Sequence, residues 1–133
     1  MTAADVSRGG VTAELMTAAR PGERSALLAS TCPACGRTAF PRVAVCLACG
    51  GAADPVELAG PATLRVLTSV TSQPPGALVT APYDVGVAEF LEGICVIGLI
   101  DGTAVAGASV TVVAASPYPN GLTFAFRQQP DID

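Results

Sequence analysis

Two pairs of cysteines, each pair separated by two residues, constrain the fold of this chain more than any other feature. They lie in the stretch TCPACGRTAFPRVAVCLACGG, residues 31 to 51, as Cys32 with Cys35 and Cys46 with Cys49, and ten residues separate the pairs. A CxxC turn aims two sulfurs at one point, and the glycine after each pair lets backbone amides approach those sulfurs. Two such turns facing each other predict a cage of four thiolates around one metal ion.

Zinc is the metal that we expect in this cage, as a structural ion held by four cysteines. Iron in the same cage is a second option, and disulfide or redox use is a third. A redox site needs only one CxxC pair, and thiols stay reduced in the cytoplasm, so zinc is favoured. Because four protein thiolates leave no coordination position for water or substrate, the metal is expected to stabilise the fold and not to catalyse.

The composition removes most of the common catalytic machinery. The 133 residues include no histidine, and all seven basic residues are arginines, so the usual general bases, Schiff-base lysines and Ser-His triads are absent. The fifth cysteine, Cys95, lies in the apolar run GICVIGLI and is expected to be a small buried side chain. Glu89 and Glu92 lie three residues apart, on opposite faces of a predicted strand, and are expected to be solvated. The residues favour a binding or assembly module, with an enzyme that uses Cys95 or a carboxylate pair as an alternative.

The chain divides into three parts in this interpretation: an N-terminal helical arm (residues 1–30), the zinc ribbon (31–53) and a β domain (54–133). Residues 11–29 are rich in helix formers and are interrupted by an Arg-Pro-Gly sequence. This pattern predicts two short helices or one kinked helix.

Five runs of β-branched and aromatic residues follow the ribbon and predict five strands. Turn-forming Gly, Pro, Asn and Asp residues bound them. The runs are residues 62–72, 83–92, 93–100, 107–115 and 121–128. Five short strands in one small domain suit a closed or partly open barrel, which removes exposed sheet edges.

Charge and hydropathy limit the partners and the location. The net charge of −4, with 11 acidic residues, has the wrong sign for gripping phosphate backbones. Single-stranded nucleic-acid binding by the ribbon and the barrel would need a basic groove, and the barrel region holds only Arg65 and Arg127, so this function is the less favoured alternative. No apolar run reaches the roughly 18 residues of a membrane span, and the first ten residues lack the apolar core of a signal peptide. We expect a cytoplasmic protein with no membrane partner.

The order of motifs along residues 12–128 resembles one known family. The expected helical arm is followed by CPACGRTAFPRVAVCLACGG, by a connector that ends in LAGPATLRVLTSVT, by APYDVGVAEFLEG, and by GASVTVV with GLTFAF. This order is similar to that of the rubredoxin-like zinc ribbon plus OB-fold proteins known as domain-of-unknown-function family thirty-five. Its most specific parts are the cysteine spacing with Phe40, Pro41 and Arg42 between the knuckles, and the Pro-Tyr pair that ends at Tyr83.

The resemblance implies a mainly β fold with a helical arm, a zinc ribbon and a five-stranded OB-fold barrel. It also implies an accessory subunit of an acyl-CoA enzyme, foremost a thiolase or related acyltransferase, with enoyl-CoA hydratases and aldolases as alternatives. In such assemblies the catalytic residues sit on the partner, while the small subunit bridges chains and helps to hold the CoA part of the substrate. We therefore expect a non-catalytic subunit of a hetero-oligomer that shares a CoA thioester with its partner.

Four residues are the candidates for contact with CoA. Arg37 and Arg42, next to the first knuckle, offer planar guanidinium groups that suit phosphate. Phe40 and Tyr83 could line the groove where the ribbon and the barrel meet. Solvated surface arginines and aromatic side chains packed in the core are the alternative interpretations of these residues.

Overall fold

The computed structural model describes residues 15–72, 75–76, 82–117, 119 and 121–129, and these form two β units. One unit is a three-stranded sheet whose connections hold the cysteines, and the other is a closed five-stranded barrel. The strands in chain order are β1 (Leu27–Thr31), β2 (Thr38–Ala39), β3 (Asp54–Leu58), β4 (Ala62–Val70), β5 (Tyr83–Glu89), β6 (Cys95–Ile100), β7 (Ser109–Ala115) and β8 (Thr123–Gln128). The predicted mainly β class, with a ribbon followed by a barrel, is confirmed.

The predicted helical arm is not helical where the structure describes it. Residues 15–26 contain a turn at residues 21–23 and fold back on themselves, and the Thr17 amide donates a hydrogen bond to the Ala26 carbonyl at 2.8 Å. The strand β1 follows directly. The helix expected over residues 11–29 is therefore wrong from residue 15 onward, while residues 1–14 lie outside the described part of the chain.

The reversal at Gly22 explains why pairing replaces the helix. Gly22 has φ of +90°, and this left-handed conformation turns the chain back so that Met16 pairs with Leu27. Leu27 and Ala29 are fully buried, with 0% exposure each, and the half-buried Leu28 lies between them, an alternation typical of a strand. Burial against the sheet outweighs the helix propensity of these residues. Among the described residues, no helix is long and apolar enough to cross a membrane.

The ribbon sheet has the order β2-β1-β3 and is antiparallel throughout. The strand β1 pairs with β3 along its full length, from Leu27 opposite Leu58 to Thr31 opposite Asp54. This sheet therefore includes residues on both sides of the predicted ribbon range 31–53. The first CxxC pair lies between β1 and β2, and the second lies between β2 and β3.

The barrel strands follow the order β4-β5-β6-β8-β7, and β7 pairs back onto β4. Neighbouring strands are antiparallel except β6 and β8, which pair in parallel. A five-stranded Greek-key barrel of this kind is an OB-fold. Each of the five predicted runs contains one of these strands, and the predicted and observed ends differ by at most three residues.

The segment before the ribbon completes the barrel wall. In the described residues β4 and β7 pair at two positions only, which leaves much of the β7 edge open. The Ser25 amide donates to the Val112 carbonyl at 3.0 Å, and the Ala114 amide donates to the Glu23 carbonyl at 2.9 Å. These bonds cover the β7 edge and fix the ribbon to the barrel.

Two inward-facing glycines make room for the aromatic core of the barrel. Gly86 on β5 lies opposite Gly98 on β6. A Cβ atom at Gly98 would lie 2.7 Å from a ring carbon of Phe124 and 2.8 Å from one of Phe126. A Cβ atom at Gly86 would lie 2.6 Å from Leu64 Cδ1. Because such distances are shorter than van der Waals contact, only glycine lets these large side chains fill the interior.

We expect Gly98→Ala to destabilise the barrel by about 1 to 3 kcal/mol, since the added methyl group overpacks the core. Chemical denaturation measures this loss. Ile97→Val, at the next position on the same strand but with an exposed side chain, is the control and should change the free energy of unfolding by less than about 0.5 kcal/mol. Equal stability of Gly98→Ala and the wild type would contradict the described packing.

Candidate metal centre

The four paired cysteines converge at one end of the ribbon. The sulfurs of Cys32, Cys35, Cys46 and Cys49 all lie within 4.8 Å of one another. The Cys32 and Cys49 sulfurs are 3.5 Å apart, and those of Cys35 and Cys46 are 3.7 Å apart. All four cysteines are free thiols and none forms a disulfide. The structure therefore brings together the metal ligands that the sequence predicts.

The two knuckles have the same backbone design. In the first, the Gly36 amide donates to the Cys32 carbonyl at 2.7 Å, and in the second the Gly50 amide donates to the Cys46 carbonyl at 2.8 Å. Gly36 and Gly50 have φ of +80° and +81°. A Cβ atom at either glycine would meet nothing within 4 Å. The glycines are needed for their left-handed conformation and not for space.

The sulfur geometry fits zinc. Metal–sulfur bonds of about 2.3 Å in a regular tetrahedron place the sulfurs about 3.8 Å apart. The two short sulfur–sulfur distances, 3.5 and 3.7 Å, are close to this edge length. Soft thiolate ligands in a tetrahedral set select zinc or iron. The site is thus of the zinc-ribbon type, and the four sulfurs can fill the coordination sphere.

Backbone amides lower the pKa values of the cysteine thiols, whereas neighbouring sulfurs can raise them. The amides of Cys49 and Ala48 bond the Cys46 sulfur and lower the pKa of this thiol from its ordinary 9.0 to about 6. The Gly51 amide acts to lower the pKa of Cys49, but the neighbouring sulfurs of Cys32 and Cys46 outweigh it and raise that pKa to about 11. Four thiolates this close repel one another, so a divalent cation is needed to hold all of them in ionised form.

The fifth cysteine lies elsewhere, and one prediction about it is wrong. Cys95 begins β6 and is exposed, whereas the sequence led us to expect a buried side chain. The inward positions of β6 are taken by Val96 and the residues two and four further on, so Cys95 points outward. The apolar run did not reveal which of its two alternating faces would be buried.

A cleft lies between the ribbon and the barrel, next to the metal ligands. Its volume is about 790 Å³. From the ribbon come Cys35, Gly36, Arg37, Thr38, Ala48 and Cys49, and from the barrel come Glu92, Gly93, Ile94 and Cys95. The sequence identified Arg37 as a candidate but missed the barrel side, because nothing in the sequence indicates that the β5–β6 turn meets the ribbon.

The four candidates for CoA contact do not gather in this cleft. Arg37 lines it. Phe40 packs edge-on against Phe124 of the barrel, with ring centroids 5.7 Å apart. Arg42 donates from Nε to the Ala29 carbonyl and from Nη2 to the Val56 carbonyl, both at 3.0 Å, and so ties β1 to β3.

Tyr83 lies at a separate cleft of about 310 Å³ on the barrel, which Arg127 also lines. The geometry therefore offers Arg37 as the candidate beside the metal centre. Contact of any of the four residues with CoA stays a prediction.

The chain is similar to known zinc-ribbon proteins. Residues 21–55 match the family model of the ChsH2 rubredoxin-like zinc ribbon domain. A solved structure described as an Ltp2-ChsH2(DUF35) aldolase is similar at 26% identity with a TM-score of 0.62, over 77% of this chain and 84% of that chain. No curated protein matches the chain in sequence at a significant level.

A second solved structure extends the similarity in fold. It is a protein of unknown function from the DUF35 family of Sulfolobus solfataricus, at 18% identity and a TM-score of 0.55, over 78% of this chain and 76% of that chain. At this identity the likeness concerns the fold alone. Residues 21–55 are thus similar to the ChsH2 zinc ribbon, and the resemblance to domain-of-unknown-function family thirty-five is confirmed.

We expect Cys32→Ser to lose the metal, because a hydroxyl replaces one of four thiolates and the small ribbon depends on the ion for its fold. Elemental analysis of the purified chain should find about one zinc per wild-type molecule and far less in the variant. Cys95→Ser is the matched control and should keep full zinc. Full zinc in Cys32→Ser would refute the assignment of the ligands.

Zinc binding should strengthen as the pH rises from 6 to 8. The pKa of Cys46 near 6 leaves this sulfur about half ionised at pH 6 and almost fully ionised at pH 8, and the pKa of Cys49 near 11 means that its proton must leave when zinc binds. Competition with a chelator at fixed pH values measures the affinity. An affinity that stays constant from pH 6 to 8 would contradict the described thiol environments.

Proposed function

We propose that the chain is a non-catalytic subunit that docks on an acyl-CoA enzyme and helps to hold the CoA part of its substrate. The observation that carries the proposal is the similarity of 77% of the chain to a chain of the Ltp2-ChsH2(DUF35) aldolase. The zinc site supports it, because four thiolates leave no position for a substrate. The absence of histidine and lysine agrees with catalytic groups on a partner.

An aldolase is the partner that we favour. The family resemblance placed a thiolase first, but the similar solved assembly is described as an aldolase. Both belong to the acyl-CoA enzymes that the resemblance implies, so the role of the small subunit is the same in either case. The assembly would be a hetero-oligomer in which this chain contributes binding and placement and the partner forms or breaks the carbon–carbon bond.

The cleft beside the zinc knuckle is the place that we propose for CoA phosphates. Its volume of about 790 Å³ is within the range of roughly 300 to 1,000 Å³ of small-molecule sites. Arg37 is exposed there, and its carbonyl accepts a hydrogen bond from the Cys32 amide at 2.9 Å. The metal knuckle thereby fixes the backbone of the arginine, whose guanidinium suits phosphate.

Nucleic-acid binding has little support from the barrel. Arg65 pairs with Glu89 at 2.6 Å, and Arg127 pairs with Asp101. Both barrel arginines are therefore neutralised by carboxylates, which weakens the positive groove that such a function needs. Enzymatic activity of the chain alone would have to use Cys95 or a carboxylate pair, and Cys95→Ser tests the first of these.

An affinity purification tests the proposed role. The tagged chain is recovered from its own cells at moderate salt, and the chains that co-purify are identified by mass spectrometry. The proposal requires an acyl-CoA enzyme subunit in stoichiometric amount, and an aldolase subunit would support the favoured partner. Recovery of nucleic acid without such a subunit would refute it, as would aldol cleavage or thiolysis by the purified chain alone.

Arg37→Ala should weaken binding of CoA to the purified complex by roughly 10- to 150-fold, since a charged hydrogen bond to phosphate contributes about 1.5 to 3 kcal/mol. Isothermal titration with CoA measures this. The control is Arg24→Ala, at an exposed arginine beside β7, which should leave the affinity unchanged. If Arg37→Ala and Arg24→Ala changed the affinity for CoA equally, Arg37 would not be part of the binding site. The proposed role as a subunit would be unaffected.

A further inference from the structure

Each of the two knuckles has one buried and one exposed cysteine. Cys32 and Cys46, the first cysteine of each pair, are buried, with 2% and 6% exposure. Cys35 and Cys49, the second of each pair, are exposed, and both line the cleft between the ribbon and the barrel. Small reagents in solvent can therefore reach two of the four ligand cysteines through the cleft, while the other two are shielded.

The glycine at position 51 leaves one side of the Cys49 sulfur uncovered. A Cβ atom at Gly51 would lie 3.5 Å from Cys49 Sγ and 3.9 Å from Cys32 Sγ. Because glycine has only hydrogen at this place, no side chain of residue 51 shields these two sulfurs. The exposure of Cys49 thus extends to its reactive atom.

The hydrogen-bond contacts between sulfurs join each exposed cysteine to the buried cysteine of the other knuckle. Cys49 Sγ lies 3.5 Å from Cys32 Sγ, and Cys35 Sγ lies 3.7 Å from Cys46 Sγ. A disulfide bond has an S–S length of about 2 Å, so each pair must close by only about 1.5 Å to form one. Each accessible sulfur therefore has a second, shielded sulfur within reach.

We propose that the metal site is a reversible redox switch, in which hydrogen peroxide converts the four thiolates into two disulfides, Cys32–Cys49 and Cys35–Cys46, and the chain loses its zinc. The proposal adds a regulatory property of the zinc site. It goes beyond the proposed function and does not rest on it.

Each disulfide forms in two steps that consume one molecule of hydrogen peroxide. The exposed thiolate attacks one peroxide oxygen, the O–O bond breaks, and a sulfenic acid and hydroxide form. The buried thiolate of the same contact pair then attacks the sulfenic sulfur, the S–O bond breaks, and a disulfide and a second hydroxide form. Two electrons pass from the two sulfurs to the peroxide. Because thiolates are the metal ligands, the oxidised chain no longer holds zinc.

The position of the disulfides makes the switch reversible. Both disulfides connect one knuckle to the other, as the metal does, so the two turns stay together after the zinc has left. Sulfur in a disulfide is also protected from irreversible oxidation to sulfonic acid. A dithiol reductant restores the four thiols, and the ribbon can then bind zinc again. Disulfides within each CxxC pair would leave the two turns unconnected.

The fifth cysteine provides an internal reference for the switch. Cys95 is exposed and lines the same cleft. In the described part of the chain, however, the group of sulfurs that lie within 4.8 Å of one another consists of the four ligand cysteines without Cys95. Since Cys95 has no thiolate beside it in this group, we expect it to stay outside the disulfides. Cys95→Ser is therefore the matched control.

The test treats the zinc-loaded chain with a small molar excess of hydrogen peroxide and follows zinc release with a colorimetric chelator. Iodoacetamide blocks the remaining thiols at each time point. Trypsin then separates the two knuckles and Cys95, because it cleaves after Arg37, Arg42 and Arg65. Mass spectrometry of the unreduced digest identifies the linked peptides, and fragmentation assigns the linked cysteines.

The wild-type chain should release nearly all of its zinc and form the Cys32–Cys49 and Cys35–Cys46 links. Cys95→Ser should release zinc at the same rate, and dithiothreitol with added zinc should restore the original zinc content of both. Zinc retention with unmodified thiols would overturn the proposal. Links within a CxxC pair or to Cys95 as the main products would also overturn it, as would sulfonic acids that dithiothreitol does not reverse.

Discussion

The convergence of four cysteine sulfurs within 4.8 Å is the contact on which the ribbon depends. A module of about 30 residues cannot bury enough apolar surface to fold alone, and its sheet has one two-residue strand. Binding of a metal supplies the missing free energy, because the ligand set does not exist in the unfolded chain. The cost is thiolate repulsion, which is visible in the opposite pKa shifts of Cys46 and Cys49. The metal ion thus stabilises the fold of the ribbon, and its four thiolate ligands leave no coordination position for a substrate.

The metal knuckle also determines what lies next to it. The backbone of Arg37 is bonded to the Cys32 amide, and Phe40, three residues later, packs against Phe124 of the barrel. Glu23 and Ser25, which precede β1, form backbone hydrogen bonds with the β7 edge. These contacts hold the ribbon and the barrel together and create the cleft between them. The proposed binding site therefore lies in a cleft that neither the ribbon nor the barrel would form by itself.

The metal site and the barrel strands were predictable from the sequence because their signals are local. The CxxC spacing indicates that four sulfurs converge on one metal ion. Runs of β-branched residues between turn residues locate the strands to within a few positions. The fold of residues 15–26 was not predictable, because the pairing of Arg24 with Val113, which helps to hold this segment in place, joins residues far apart in the chain. The direction of Cys95 was also missed. The apolar run that contains Cys95 has no polar side to reveal which of its positions point outward.

We propose that four thiolates hold the metal ion and that this ion takes no part in catalysis. X-ray absorption spectroscopy at the zinc edge of the purified chain tests this claim directly. We expect four sulfur neighbours at about 2.3 Å and no lighter ligand, with a spectrum that stays the same when CoA and the enzyme subunit are added. An oxygen or nitrogen neighbour in place of one sulfur, which changes when CoA is added, would show a coordination position open to water or substrate and would contradict this proposal.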